Sequence, residues 1–203
     1  MKVLIVTMLC DRYNGIAEVS LPNMLEYCQR HSYYDAVIKL SDEEGFHYKK
    51  HEFFDEVFKT DVDLIFYKDI DSVITNLTVP IENFVDSEHD VFVTKDMMGY
   101  NGGSLIIKNT EGGRWVNDFI LSQRDNFNNE QEVMDKYFDE FTKNVKVLSH
   151  PSINSYDYSA YSEFPNIRGR EEGHWHEGDF LLHTPALTYE HRATILKNAK
   201  ITR

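Results

Sequence analysis

Short runs of almost unbroken apolar and β-branched residues alternate with stretches that place apolar residues every three or four positions, and this alternation constrains the fold more than any other feature of the chain. Val3-Leu4-Ile5-Val6-Thr7-Met8 is the first such run, the pattern of a strand covered on both faces. Residues 16–29 follow at helical spacing, with Pro22 expected near the start of that helix or at a break. Residues 36–40 predict a second strand, 51–58 a second helix, and 62–68 a third strand. Strands that alternate with helices in this way predict an α/β fold with a mixed, mainly parallel sheet flanked by helices.

Further along, residues 90–94 and 104–108 predict strands on either side of Tyr100-Asn101-Gly102-Gly103, and 115–123 and 131–141 predict helices. Residues 148–178 lose regularity and read as a loop rich in Tyr, Ser, Pro and His, before a strand at 179–183 and a closing helix at 189–199. No repeat, low-complexity tract or linker divides the 203 residues, so residues 1–203 are expected to form a single domain. An apolar content of 41% is ample for its core. The formal charge of −13 argues against a nucleic-acid binder, which needs a surplus of lysine and arginine. Cys10 and Cys28 are too few for a disulfide framework and read as reduced core thiols. The apolar run at the amino end is too short to be a signal peptide or to span a bilayer, so no membrane span and a cytoplasmic location are expected.

The best clue to chemistry is Asp69-Ile70-Asp71, which finishes the third predicted strand. Alternation along an extended chain would put both carboxylates on one side and Ile70 on the other. Two aligned hard oxygen donors suit Mn²⁺ or Mg²⁺, which commonly take further ligands from substrate phosphates. The pattern alone is weak, since Asp61-Val62-Asp63 repeats it. Position separates the pairs: Asp61 and Asp63 stand where the strand begins, whereas Asp69 and Asp71 stand at its carboxyl end, where open α/β sheets bind ligands.

Four motifs in order, Asp69-Ile70-Asp71, Asn101-Gly102-Gly103-Ser104, Glu130-Gln131-Glu132 and Gly178-Asp179-Phe180-Leu181-Leu182-His183, resemble the GT-A glycosyltransferases. Within these, the α-galactosyl- and α-mannosyltransferase family of the fungal Golgi and its plant xylosyltransferase relatives are the most similar. The resemblance implies a GT-A fold in which Asp69, Asp71 and His183 hold Mn²⁺ or Mg²⁺ on the diphosphate of a nucleotide-sugar donor. It implies transfer of the sugar to a glycan hydroxyl with retention of configuration. Gln131 and Glu130 would then lie beside the reacting sugar carbon, with Glu in place of the family's usual Asp.

Several donor contacts are implied as well. Asn101, Gly102 and Gly103 would bring backbone close to the donor sugar, because glycine lacks a Cβ. Lys50, or its neighbour Lys49, would reach the diphosphate. Arg12 and Tyr13 would clamp the nucleotide, the tyrosine offering a flat face to the base, beside backbone contacts from Thr7 and Leu9. His174-Trp175-His176 lacks zinc partners at suitable spacing and reads as part of an acceptor-facing loop with Tyr156, Tyr158 and Tyr161. The family's Golgi members carry an amino-terminal anchor. Its absence here suggests a viral or microbial cytoplasmic enzyme, or a module of a longer polypeptide. A sugar-1-phosphate nucleotidylyltransferase is the rival enzyme, but residues 7–15 hold only Gly15 where it would need a glycine-rich phosphate loop. A non-catalytic carbohydrate-binding module is the rival of another class.

Overall fold

A computed structural model of the chain describes residues 1–41, 46–96, 98–161 and 171–203. At its centre, β1 (Val3–Leu9) lies between β2 (Tyr34–Lys39) and β3 (Leu64–Lys68) and runs parallel to both. Beyond β3 come β6 (Gly99–Lys108), β5 (Val91–Asp96) and the edge strand β7 (Val145–Leu148), giving the order β2-β1-β3-β6-β5-β7. Only β6 runs against the others, so the sheet is mixed and mainly parallel, as the alternation of elements predicts.

Side chains of period two cover both faces of this sheet. Leu4, Val6 and Met8 join Ile65, Tyr67, Val93, Leu105 and Ile107 under α2 (Phe46–Val57), α3 (Glu111–Ser122) and α4 (Glu130–Phe141). Val3, Ile5, Leu64, Phe66, Phe92 and Ile106 point the other way, against Met24 and Tyr27 of α1 (Asn14–His31). Each of these large apolar side chains contributes about 1.5–3 kcal/mol when fully buried.

A second, three-stranded sheet covers the carboxyl-end corner of the first. It is ordered β4-β9-β8, from β4 (Ser72–Ile74), β9 (Leu181–His183) and β8 (Ser155–Tyr156). Helix α1 docks on β4 through polar groups: Asn23 bonds both the carbonyl and the N–H of Ile74, and Ser20 donates to the Ser72 carbonyl. These bonds satisfy an edge that would otherwise be buried unpaired. A last helix, α5 (Tyr189–Asn198), packs beside α1.

The structure departs from expectation at four places. Helix α1 begins at Asn14 and runs through Pro22 without a break. Asn101 to Gly103 lie inside β6 instead of in a loop between strands. The short strands β4, β7 and β8 were not expected, and β8 lies within the predicted 148–178 loop, of which residues 162–170 fall outside the described residues. Tyr156 and Tyr161, expected in an acceptor-facing loop, are buried core residues.

Between α2 and α3 sits a wholly buried imidazole. His51 Nδ1 lies 2.8 Å from Asn117 Oδ1, and Asn117 Nδ2 donates to the His51 carbonyl at 3.1 Å. Burial, helped by the charge of Lys50, pushes the ring pKa down to about 4. An unfolded histidine titrates near 6.5, roughly, so above that pH the ring is neutral in both states and contributes no pH dependence. Between the two values the unfolded chain binds a proton that the folded protein refuses, and stability falls as pH falls. This ring alone should remove about 3 kcal/mol from about pH 7 to about pH 4. Urea unfolding of His51→Gln should show a correspondingly smaller loss over that window, and an equal loss in both proteins would clear His51 of the effect.

Candidate functional site

Strand β3 stops at Lys68, and Asp69 to Asp71 form a turn closed by the Ser72 N–H on the Asp69 carbonyl, 3.2 Å. The two carboxylates are therefore brought together by a turn and not by strand alternation. His183 joins them through sheet register, since it pairs with Ser72 on one side and Tyr156 on the other. Thr184 ties the corner down, its N–H and hydroxyl both donating to the Asp71 carbonyl, at 3.0 and 2.9 Å.

Ligand atoms of Asp69, Asp71 and His183 lie within 4.8 Å of one another. His183 Nε2 is 3.2 Å from Asp71 Oδ1 and 3.8 Å from Asp69 Oδ2, yet this buried nitrogen has no hydrogen-bond partner. One imidazole and two carboxylates facing one point, with a nitrogen left unsatisfied, fit a divalent cation. The other oxygens are held: Tyr67 donates to Asp69 Oδ1 at 2.5 Å, and Arg192 Nη1 to Asp71 Oδ2 at 2.7 Å. Burial works to raise the Asp71 carboxyl, but His183 and Arg192 pull harder, and it stays below the ordinary carboxylate range.

A second buried cluster faces the first. Asn129 caps α4 by accepting from the Glu132 N–H, while the Glu132 carboxylate accepts from the Asn129 side-chain amide and from the Asn128 N–H. Glu132 is thus a structural cap, and the two residues before it turn into the site. Glu130 Oε1 accepts from the equally buried Lys50, which also donates to the Gly102 carbonyl at 2.6 Å. Glu130 Oε2 is buried without a hydrogen bond. Burial would raise this carboxyl, but Lys50 and then His51 hold it below its usual value. Gln131 Oε1 accepts from the Gly102 N–H at 3.1 Å.

The glycines serve this packing directly. A Cβ on Gly102 would fall 2.0 Å from Glu130 Oε1, and one on Gly103 would fall 2.6 Å from both Asp69 Oδ2 and His183 Cε1. Their missing side chains make room for the protein's own site groups, and both glycines also line the cavity described below. Along β6, Gly102 to Ser104 have no counterpart on β5, because the register jumps between Val93 and Thr94. This bulge moves the Gly-Gly backbone toward Asp69, whose N–H donates to the Gly103 carbonyl at 2.7 Å.

One cavity of about 220 Å³ collects these groups. Arg12, Tyr13, Lys50, Asp69, Asp71, Gly102, Gly103, Glu130, Gln131 and His183 all line it. Thr7, Leu9 and Asn101 do not: the neighbours Met8 and Cys10 border the cavity from β1, and Asn101 lies buried behind the glycines. Sequence reasoning missed Arg192 and His47, which also line it, and Asn154, which lies behind His183. Arg192 stands over the Tyr13 ring at 5.7 Å and Arg12 at 5.2 Å. Lys49 instead pairs with Glu52 on the surface. His174 and His176 hold no metal cluster among the described residues; His174 Nδ1 accepts from the Tyr158 N–H. No helix among those residues is long and apolar enough to cross a membrane, and neither cysteine forms a disulfide.

No protein-family model and no curated protein matches the sequence. Solved structures do match the fold. A glycosyltransferase involved in glycosylation of the major capsid of PBCV-1 superposes with a TM-score of 0.75 at 15% identity, over 97% of this chain and 99% of that one. The galactosyltransferase LgtC, solved with donor and acceptor sugar analogues, gives 0.56 at 10% identity over 98% and 97%. The glycosyltransferase GlyE of Streptococcus pneumoniae TIGR4 gives 0.55 at 14% identity, over 99% of this chain and 66% of that one. The chain has the GT-A-like fold of these enzymes.

The buried Lys50–Glu130 pair makes a prediction independent of activity. Lys50→Met strands the Glu130 carboxylate without its cation and should destabilise the protein by about 3–5 kcal/mol. Adding Glu130→Leu should recover most of that loss in urea unfolding. A double variant as unstable as the single one would show that the damage lies in packing and not in charge.

Proposed function

We propose that the chain is a metal-dependent glycosyltransferase that moves a sugar from a nucleoside-diphosphate donor, a UDP- or GDP-sugar, to an acceptor hydroxyl, with retention. The observation that carries this reading is the unsatisfied His183 Nε2 facing Asp71 Oδ1 and Asp69 Oδ2, in the lining of a cavity that also holds Arg12, Lys50 and Arg192. The GT-A-like fold supports it. Asp69, Asp71 and His183 would hold Mn²⁺ or Mg²⁺, which when bound stabilises negative charge growing on the departing diphosphate.

The chain's own groups supply the rest. Arg12 and Arg192 bring positive charge to the diphosphate, and Tyr13 offers a face to the base. Glu130, kept ionised by Lys50, places a carboxylate oxygen where positive charge develops on the sugar ring. The Gln131 carbonyl uses one lone pair on the Gly102 N–H and keeps the other for the electron-poor anomeric carbon. Leaving-group charge is thus met at one end of the cavity and sugar charge at the other.

A panel of nucleotide sugars with Mn²⁺, scored for hydrolysis and thermal stabilisation, tests the reading. Asp71→Asn should lower turnover at least about a hundredfold, the scale of losing a main electrostatic contribution to the transition state. Undiminished turnover of that variant in EDTA would sink the metal assignment. Gln131→Ala should lower kcat and kcat/KM together with donor affinity little changed, the mark of an interaction made in the transition state. Wild-type kinetics in Gln131→Ala would make residues 130–132 an ordinary helix start.

A further inference from the structure

Behind His183 runs a chain of hydrogen bonds, buried except at the half-buried Asp96, whose direction is fixed at every link. Gly103 N–H donates to Asn101 Oδ1 at 2.8 Å, which settles the orientation of the Asn101 amide. Asn101 Nδ2 then donates to Asp96 Oδ2 at 2.8 Å and to the Tyr156 hydroxyl at 2.7 Å. Tyr156 spends its own proton on Asp96 Oδ2, 2.6 Å away, so toward its other neighbours its oxygen can only accept. Asn154 Nδ2 must therefore donate to Tyr156, at 3.2 Å, leaving Asn154 Oδ1 to accept from His183 Nδ1 at 2.8 Å.

We propose that Asn154 is a positioning residue: it holds His183 as the Nδ1–H tautomer, so that Nε2 presents a lone pair to a divalent cation, while Tyr156 and Asp96 keep its amide from turning over. The proposal rests on the metal-site reading above. A protonated Nδ1 anchored to a neutral acceptor is the usual way a ligating imidazole is fixed, and losing such a partner typically weakens metal binding 10–100-fold, roughly. Asn154 and Tyr156 are both buried and line no part of the cavity, so neither is placed to touch a substrate.

Two measurements on the full chain test this. In the metal-free protein labelled with ¹⁵N-histidine, long-range ¹H–¹⁵N spectra at mildly alkaline pH should show His183 protonated at Nδ1; protonation at Nε2 overturns the proposal even if no variant folds. Calorimetric titration with Mn²⁺ should show Asn154→Leu binding about 10–100-fold more weakly than wild type, with Asn154→Asp, which keeps an acceptor, binding more tightly than the leucine variant. A folded Asn154→Leu within about threefold of wild type overturns the positioning role alone. Wild-type protein that takes up no Mn²⁺, with or without UDP or GDP, overturns the metal reading and this inference with it.

Discussion

The three residues of β6 that have no partner on β5, Gly102 to Ser104, are the joint on which the rest of the site depends. Around this bulge the Gly102 carbonyl takes Lys50 from α2, the Gly102 N–H takes Gln131 from α4, and the Gly103 carbonyl takes the Asp69 N–H. The Gly103 N–H holds Asn101, which leads on to Asp96 and Tyr156. Four backbone polar groups thus hold Lys50 and Gln131 from the helices on one face of the main sheet, Asn101 of β6 itself, and the backbone of Asp69 at the end of β3. A flat, fully paired strand would spend the Gly102 groups on β5. Bulges next to functional sites re-aim side chains, and here one bulge aims several.

Opposite charges are paired in the cavity. The protein carries 34 acidic and 21 basic residues, and here Arg12, Lys50 and Arg192 meet Asp69, Asp71 and Glu130. Lys50 and Arg192 are engaged by Glu130 and Asp71, so their charge is fixed in place before any ligand arrives. Preorganised charge of this kind requires little rearrangement as a reaction proceeds. Lys68 adds a further fixed cation beneath the Asp69–Asp71 turn: wholly buried, it donates to Ser20 and to the Asp69 carbonyl, and burial lowers its pKa to about 8 against the pull of Asp71 and Asp69.

Much of this was legible in the chain. The long apolar runs predicted β1, β3, β5 and β9 because a strand buried on both faces favours apolar and β-branched side chains along its length, as Val3 to Met8 illustrates. The short strands were illegible for the opposite reason. Two to four residues in β4, β7 and β8 show no period, and their pairing is set by distant partners such as His183 and Thr94. Asp69, Asp71 and His183 stood out by residue type and by placement near strand ends, but the turn at Asp69 did not, since extended and turned backbones share that sequence. Arg192 was hidden in a helix with weak amphipathic pattern, where a cavity residue looks like any solvated arginine. Nothing in Asn154 marks it in isolation. Only the register that sets β8 beside β9 brings it to His183.

The antiparallel pairing of Ser72 with His183 also has a bearing on when the site comes into being. The two aspartates are complete once the third strand and its turn exist, but their imidazole lies more than a hundred residues further on and pairs through a sheet that cannot form earlier. Contacts between such distant segments close last, after the loop entropy between them has been overcome. During synthesis from the amino end, most of the main sheet can therefore assemble while the carboxylates still lack their nitrogen partner. Cation affinity in this molecule would be a property of the finished chain, arriving with its final strand.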